Sequence, residues 1–121
     1  MPSSDVTPSG LATASTILKD GVILGGDINI LRPKNKINSS YMSYYLNFAK
    51  KEIIRLVTGT TIKHIYNKDL KQLKFKVSQS LEEQQKIAET LSAIDRKIEL
   101  EIKLLTQLNQ QKQYFLQNLF I

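Results

Sequence analysis

Apolar and polar residues recur with different periods along this chain, and the change of period divides it. From Ser80 to about Phe120 the apolar positions include Ile87, Leu91, Ile94, Ile98, Leu105, Leu108, Phe115 and Leu119. That 4-3 spacing is the mark of one long helix with a heptad seam. Ser80-Leu81-Glu82-Glu83 opens it as a capping box. The Ser80 hydroxyl is placed to accept from the Glu83 amide, while the Glu83 carboxylate reaches back to the Ser80 amide. No glycine or proline follows, so about forty residues would make a rod of roughly 60 Å. Glu101 falls at a d position and Lys112 at an a position. Ile102 continues the stripe better than Glu101, which points to an 11-residue drift and a nearly straight local helix. Glu82 with Lys86 and Glu99 with Lys103 are i,i+4 pairs in the favourable order, each contributing about 0.2–0.5 kcal/mol. A stripe of this length is more than a small domain can cover. A long core helix of an ordinary α+β domain would share the period. The length favours a two-helix coiled coil, paired with a second copy or with a helix of another subunit. Polar Glu101 and Lys112 would then help to fix register and orientation.

The first 79 residues carry shorter patterns. Met1 to Thr16 is rich in Ser, Thr, Pro and Gly and reads as a loop or frayed end. Val22-Ile23-Leu24 and Ile28-Asn29-Ile30-Leu31 are strand candidates, with Gly25-Gly26-Asp27 as a tight turn between them. Asn38-Ser39-Ser40 offers N-caps for a helix to about Leu56, whose Met42, Tyr45, Leu46, Ala49, Ile53 and Leu56 share a face. Tyr41, Tyr44 and Phe48 broaden that face beside Lys50, Lys51 and Arg55. Such an aromatic group either packs in the core, the favoured reading, or stacks on bases. After Gly59 the β-branched run to Tyr66 suggests a strand. Asn67 to Gln72 reads as one helical turn, and Leu73-Lys74-Phe75-Lys76-Val77 alternates as a half-buried strand. The expected fold is therefore α+β: a small basic mixed domain over 1–79, then one long coiled-coil helix over 80–121 that pairs with a partner helix.

Charge sharpens this division. Residues 1–79 hold 12 Lys/Arg against 5 Asp/Glu, and residues 80–121 hold 5 against 6. A basic domain on a near-neutral rod is the electrostatic footprint of a polyanion binder, nucleic acid first. Arg32, Lys34 and Lys36 bracket Pro33 and Asn35, and Thr58, Thr60, Thr61, Lys63 and His64 crowd the segment around Gly59. Such groups suit phosphate and base-edge hydrogen bonds; equally, the threonines would simply alternate outward along a strand. With no cysteine in the chain, neither disulfides nor Cys-based metal sites arise, which fits a reducing compartment. Neither a secretory leader pattern in Met1–Thr16 nor a membrane-length apolar run is present, so the cytoplasm is the expected location.

Catalytic signatures are missing. His64 is the sole imidazole, and no serine or carboxylate is spaced to work with it. Nor is there a phosphate-cradling loop, a dinucleotide turn, a His/Asp metal spacing or the Asn/Asp-Pro-Pro-aromatic tetrapeptide used by amino-methyltransferases on a flipped base. The expectation is a protein that is not an enzyme, with no cofactor and no metal.

Several stretches together resemble a known family. Thr58-Gly-Thr-Thr-Ile-Lys-His64 is followed by Asp69-Leu70-Lys71 and then by Leu81-Glu-Glu-Gln-Gln-Lys-Ile-Ala-Glu-Thr-Leu-Ser-Ala-Ile-Asp-Arg-Lys-Ile98. These are similar to the DNA-specificity subunit of type I restriction-modification systems. Gly26-Asp27-Ile-Asn-Ile-Leu-Arg-Pro33 and the Tyr-rich helix resemble the later part of its target-recognition domain, and Leu116-Gln-Asn-Leu-Phe120 the end of its spacer helix. The resemblance covers roughly residues 22–120. It implies a partial target-recognition domain over 1–79 and one spacer helix over 80–121 that pairs antiparallel with a partner helix. Family members usually have two of each, so the chain resembles a truncated or half-subunit that could restore two-fold symmetry as a homodimer. The implied partners are double-stranded DNA with a bipartite site, the modification (methyltransferase) subunit and, through it, the restriction subunit. Under this reading the lysines among Lys34, Lys36, Thr60, Thr61, Lys63, His64 and Lys68 would contact phosphates, and the threonines and His64 bases or sugars. The helix-pairing residues would be Ile87, Leu91, Ile94, Ile98, Leu105, Leu108 and Phe115. The alternative is a coiled-coil interaction module that assembles or competes in the complex without useful DNA binding.

Overall fold

The computed structural model describes every residue except Asn35 and Ile121. Among the described residues the fold is α+β, with a two-stranded antiparallel sheet, four short helices and one long one. The chain divides into two compact units, Met1–Ala88 and Glu89–Ile121.

The N-terminal segment is a structural centre of the first unit, not a frayed end. β1 (Ser4–Asp5) pairs antiparallel with β2 (Lys63–His64), Ser4 opposite His64 and Asp5 opposite Lys63. Thr7 then caps α1 (Pro8–Leu11) by accepting from the Gly10 amide at 3.1 Å. Pro8, whose fixed φ suits the first helical position, starts the turn. That turn drives Leu11 and Ala12 wholly out of solvent. The Thr7-Pro8 signal was in the sequence, but a four-residue helix buries too few residues to show a period.

The expected helix from Asn38 exists and breaks once. Asn38 caps α2 (Ser39–Phe48) by accepting from the Tyr41 amide at 2.9 Å. At Ala49 the backbone leaves the helical region (ψ 18°), and α3 (Lys50–Ile54) continues. Asn47 on α2 grips the N-terminal segment: its amide group accepts from Ala14 N at 3.1 Å and donates to Ala14 O at 2.8 Å. The core then gathers Leu11, Ala12 and Ala14 against Leu46, Ile53, Ile65 and Leu70, the last from α4 (Asn67–Leu70). Each fully buried Leu or Ile contributes about 1.5–3 kcal/mol of hydrophobic stabilisation. Tyr45 meets Phe75 edge to face at 5.4 Å, and Tyr41 is buried, so most of the aromatic group packs inward; Phe48 alone is largely open.

Three strand expectations fail, for one reason. Leu73, Phe75 and Val77 are half-buried while Lys74 and Lys76 are exposed, as strict alternation demands, yet the segment belongs to no sheet among the described residues. Val22–Leu24 and Ile28–Leu31 form no strands either; Ile28 makes only an isolated bridge to Pro2. Gly25-Gly26-Asp27 is consequently not the tight turn of a hairpin. Between Gly59 and Tyr66 only Lys63–His64 is strand. Local pattern sets which way side chains point, whereas a ladder needs a second edge within hydrogen-bonding reach.

α5 (Leu81–Leu119) is 39 residues long and unbroken. Half of the expected capping box forms: the Glu83 amide donates to Ser80 Oγ at 3.2 Å. The Glu83 carboxylate instead accepts from the Ser78 hydroxyl, and the Ser80 amide donates to Ser78 Oγ at 3.2 Å. Lys86 pairs with Glu82 at 3.2 Å as expected, and Lys97 reaches Glu101 at 3.0 Å. Ile94, Ile98, Leu105, Leu108 and Phe115 are each about half exposed along the second unit. No helix among the described residues is long and apolar enough to cross a membrane.

Candidate nucleic-acid interface

The threonine-rich segment after α3 is a closed loop. Thr58 and His64 exchange both backbone hydrogen bonds, at 3.0 and 2.8 Å, which pinches the chain shut. Gly59 takes φ +103°, a conformation that only glycine adopts readily, and a Cβ there would sit 2.2 Å from the Ile62 carbonyl oxygen. The Lys63 ammonium turns back onto the loop, donating to Gly59 O at 2.9 Å and Thr60 O at 2.5 Å. An ammonium has three donors, so one remains for an external acceptor. Thr60, Thr61 and Ile62 form the exposed tip.

A row of side chains continues from the neck. His64 stacks on Tyr66 at 6.1 Å with 13° between ring planes, and Lys68 Nζ lies 5.6 Å from the Tyr66 ring centre. An imidazole, a half-exposed phenol and an ammonium thus share one short stretch. That combination offers a stacking face beside positive charge. Tyr66 was not among the sequence candidates; its aromatic ring two residues from His64 and two from Lys68 was the available signal.

Asp27 stands behind this row. It holds φ +63°, which Asp tolerates better than most residues. Its carboxylate accepts from the hydroxyls of Ser4 and Ser3, the latter at 2.7 Å. Those two hydrogen bonds, Ser4 first, with the charge of His64 as a smaller contribution, hold the carboxyl below the ordinary aspartate range. Asn29 stitches the same place from inside, donating to Ile65 O at 3.2 Å and Pro2 O at 3.3 Å.

Thr60, Thr61, Lys63, His64 and Lys68 are therefore brought into one loop and its exit. Lys34 and Lys36 are exposed on the turn before α2, which is anchored elsewhere. Gln84, in the second turn of α5, is fully buried. It accepts from Asn38 N at 2.8 Å and donates to Lys36 O at 3.1 Å and Ser78 O at 2.7 Å. The Leu-Glu-Glu-Gln start of α5 thus carries a polar pin that its heptad pattern conceals. No group of His, Asp and Glu side chains among the described residues is placed to hold a metal ion.

The family model described as type I restriction modification DNA specificity domain matches residues 2–110. The chain belongs to that family. Specificity domains are the DNA-recognition component of these systems and not the catalytic one. A protein of Methanocaldococcus jannaschii named as a type I restriction enzyme specificity subunit is 38% identical over 79 residues, 65% of this chain and 18% of its own length. A protein of Mycoplasma pneumoniae named as a type I specificity subunit is 38% identical over 64 residues, 53% of this chain and 17% of its own. This specificity-domain chain spans less than a fifth of the length of either relative. No solved structure matches it.

Proposed function

We propose that this chain is a partial DNA-specificity subunit of a cytoplasmic type I restriction-modification complex. Its basic unit reads part of a bipartite site on double-stranded DNA, and α5 pairs antiparallel as a coiled coil to make a homodimer. The same helix scaffolds the methyltransferase subunits, through which the restriction subunit joins. The observation that carries the DNA-binding role is the closed loop of residues 58–64, with its threonine tip and the His64–Tyr66–Lys68 row at its exit. Lys34, Lys36, Lys63 and Lys68 take phosphates; Thr60, Thr61 and His64 take bases or sugars. Residues 1–79 form the recognition part and 80–121 the spacer part of this division of labour.

The test is duplex-DNA binding by the whole chain across a salt series. Affinity should fall steeply with salt, and Lys34→Ala and Lys63→Ala should each weaken binding and flatten the slope by about one. Unchanged affinity in both variants would overturn the DNA-binding role. The half-exposed apolar stripe of α5 favours the second reading, a protein-interaction module that assembles or competes in the complex without useful DNA affinity. Under that reading there is no DNA binding to lose, while binding to a type I modification subunit persists.

A further inference from the structure

We infer that the α5 seam is coded for antiparallel pairing with a second copy of this chain in one alignment, in which Glu101 of each copy meets Lys112 of the other. The inference rests on the antiparallel homodimer proposed above and adds its register. From Ile87 onwards the a positions of α5 are Leu91, Ile98, Leu105, Lys112 and Leu119, and the d positions Ile87, Ile94, Glu101, Leu108 and Phe115. Every member is therefore apolar except one acid and one base. These two charges discriminate among the ways two copies can pair.

Parallel, in-register pairing sets a against a and d against d. It would place Glu101 on Glu101 and Lys112 on Lys112, two like-charge layers within one seam. Antiparallel pairing sets a against d. With Glu101 opposite Lys112, the remaining layers are Ile94 opposite Leu119, Ile98 opposite Phe115 and Leu105 opposite Leu108, each occurring twice by symmetry. The two-fold axis passes between Thr106 and Gln107. Sliding one copy by a heptad in one direction puts Glu101 against Leu105 and Lys112 against Ile94; in the other it puts them against Leu119 and Leu108. Each shift sets four charges per dimer against aliphatic side chains with no partner across the seam, which is costlier than pairing them there.

The surroundings fit the same alignment. Lys97 already holds one Glu101 oxygen at 3.0 Å, so the carboxylate would lie between Lys97 of its own helix and Lys112 of the second copy. The flanking residues brought together are Leu104 with Gln111, Ile102 with Asn109 and Lys97 with Asn118, so no like charges meet at the edges. The overlap from Ile94 to Leu119 runs between three and four heptads, about 39 Å of helix, and its apolar members are half exposed or, at Leu119, mostly exposed in the single chain.

The chain has no cysteine, so introduced thiols report on pairing alone. Full-length Ile98→Cys is mixed with full-length Phe115→Cys under mild oxidation, and each is also oxidised by itself. The mixture should give a covalent dimer and Ile98→Cys alone should not. Ile98→Cys with Leu108→Cys reports the shifted alignment and should stay uncrosslinked. Separately, Glu101→Lys and Lys112→Glu should each weaken dimerisation by about tenfold or more, and the double exchange should restore it to within a few fold. A native chain that stays monomeric by sedimentation would overturn the homodimer itself. A native dimer that crosslinks through Ile98→Cys alone, or through the 98/108 mixture, would overturn the register and leave the homodimer standing, as would a double exchange that fails to restore association.

Discussion

Replacing Gln84 should cost this chain more than any surface polar substitution, because one side chain holds three backbone groups. Its amide accepts from Asn38 N and donates to Lys36 O and Ser78 O, and it is wholly buried. Gln84→Met keeps most of the volume and removes all three bonds. A buried backbone group left without a partner costs about 1–3 kcal/mol. The three groups here are only partly buried and water can reach some of them, so the sum is about 2–4 kcal/mol. A unit of this size has a total stability of roughly 5–13 kcal/mol. Urea unfolding followed by tyrosine near-ultraviolet dichroism would report on Tyr41, Tyr44, Tyr45 and Tyr66; with a slope of about 1–1.5 kcal/mol/M, the midpoint should fall by about 2 M. The Asn38 amide should also lose hydrogen-exchange protection. Gln84→Glu separates the contributions further, since it retains the acceptor for Asn38 but turns a carboxylate oxygen towards two carbonyls; it should be no better than Met. A Gln84→Met chain within about 0.5 kcal/mol of the native one would refute the pin as a source of stability.

Gly59→Ala should open the loop, because its φ of +103° and the 2.2 Å approach of Ile62 O leave no room for a methyl group; a loss of about 1–3 kcal/mol and faster exchange of the Thr58 and His64 amides are expected. Asp27 should make the first unit acid-sensitive. Its folded pKa lies below its unfolded one, so its contribution is fully present above the ordinary aspartate range and is lost as pH falls through the folded value. Asp27→Asn should therefore flatten the dependence of unfolding on pH below about 4, and an unchanged profile would remove the Ser3–Ser4–Asp27 group from the account. Ile94→Asp with Ile98→Asp should abolish self-association of the chain; an unaltered particle mass in light scattering would show that the stripe is not the contact.

The parts of this fold that were legible beforehand are those whose signal is local and repeated. α5 shows itself through ten turns of one stripe, and Asn38 and Ser80 show themselves as caps because a short polar side chain satisfies an amide three residues on. The cluster of threonines, Lys63 and His64 after Gly59 was visible as composition, although the run was expected as a strand and closes as a loop instead; the alternation of Leu73 to Val77 predicted which side chains turn inward. What tertiary structure alone decided is where non-local hydrogen bonds close. Ser4 and Asp5 became strand because Lys63 and His64 came alongside, whereas Ile28 to Leu31 found only an isolated bridge. Leu11 and Ala12 became core through contacts made thirty or more residues away, with Leu46, Ile53 and Ile65. Gln84 looks in the sequence like any polar residue of a long amphipathic helix; only the arrival of the Lys36–Asn38 turn and Ser78 makes burying it favourable. Periodicity records the face a residue turns inward, and the partner on that face is set by the whole chain's path.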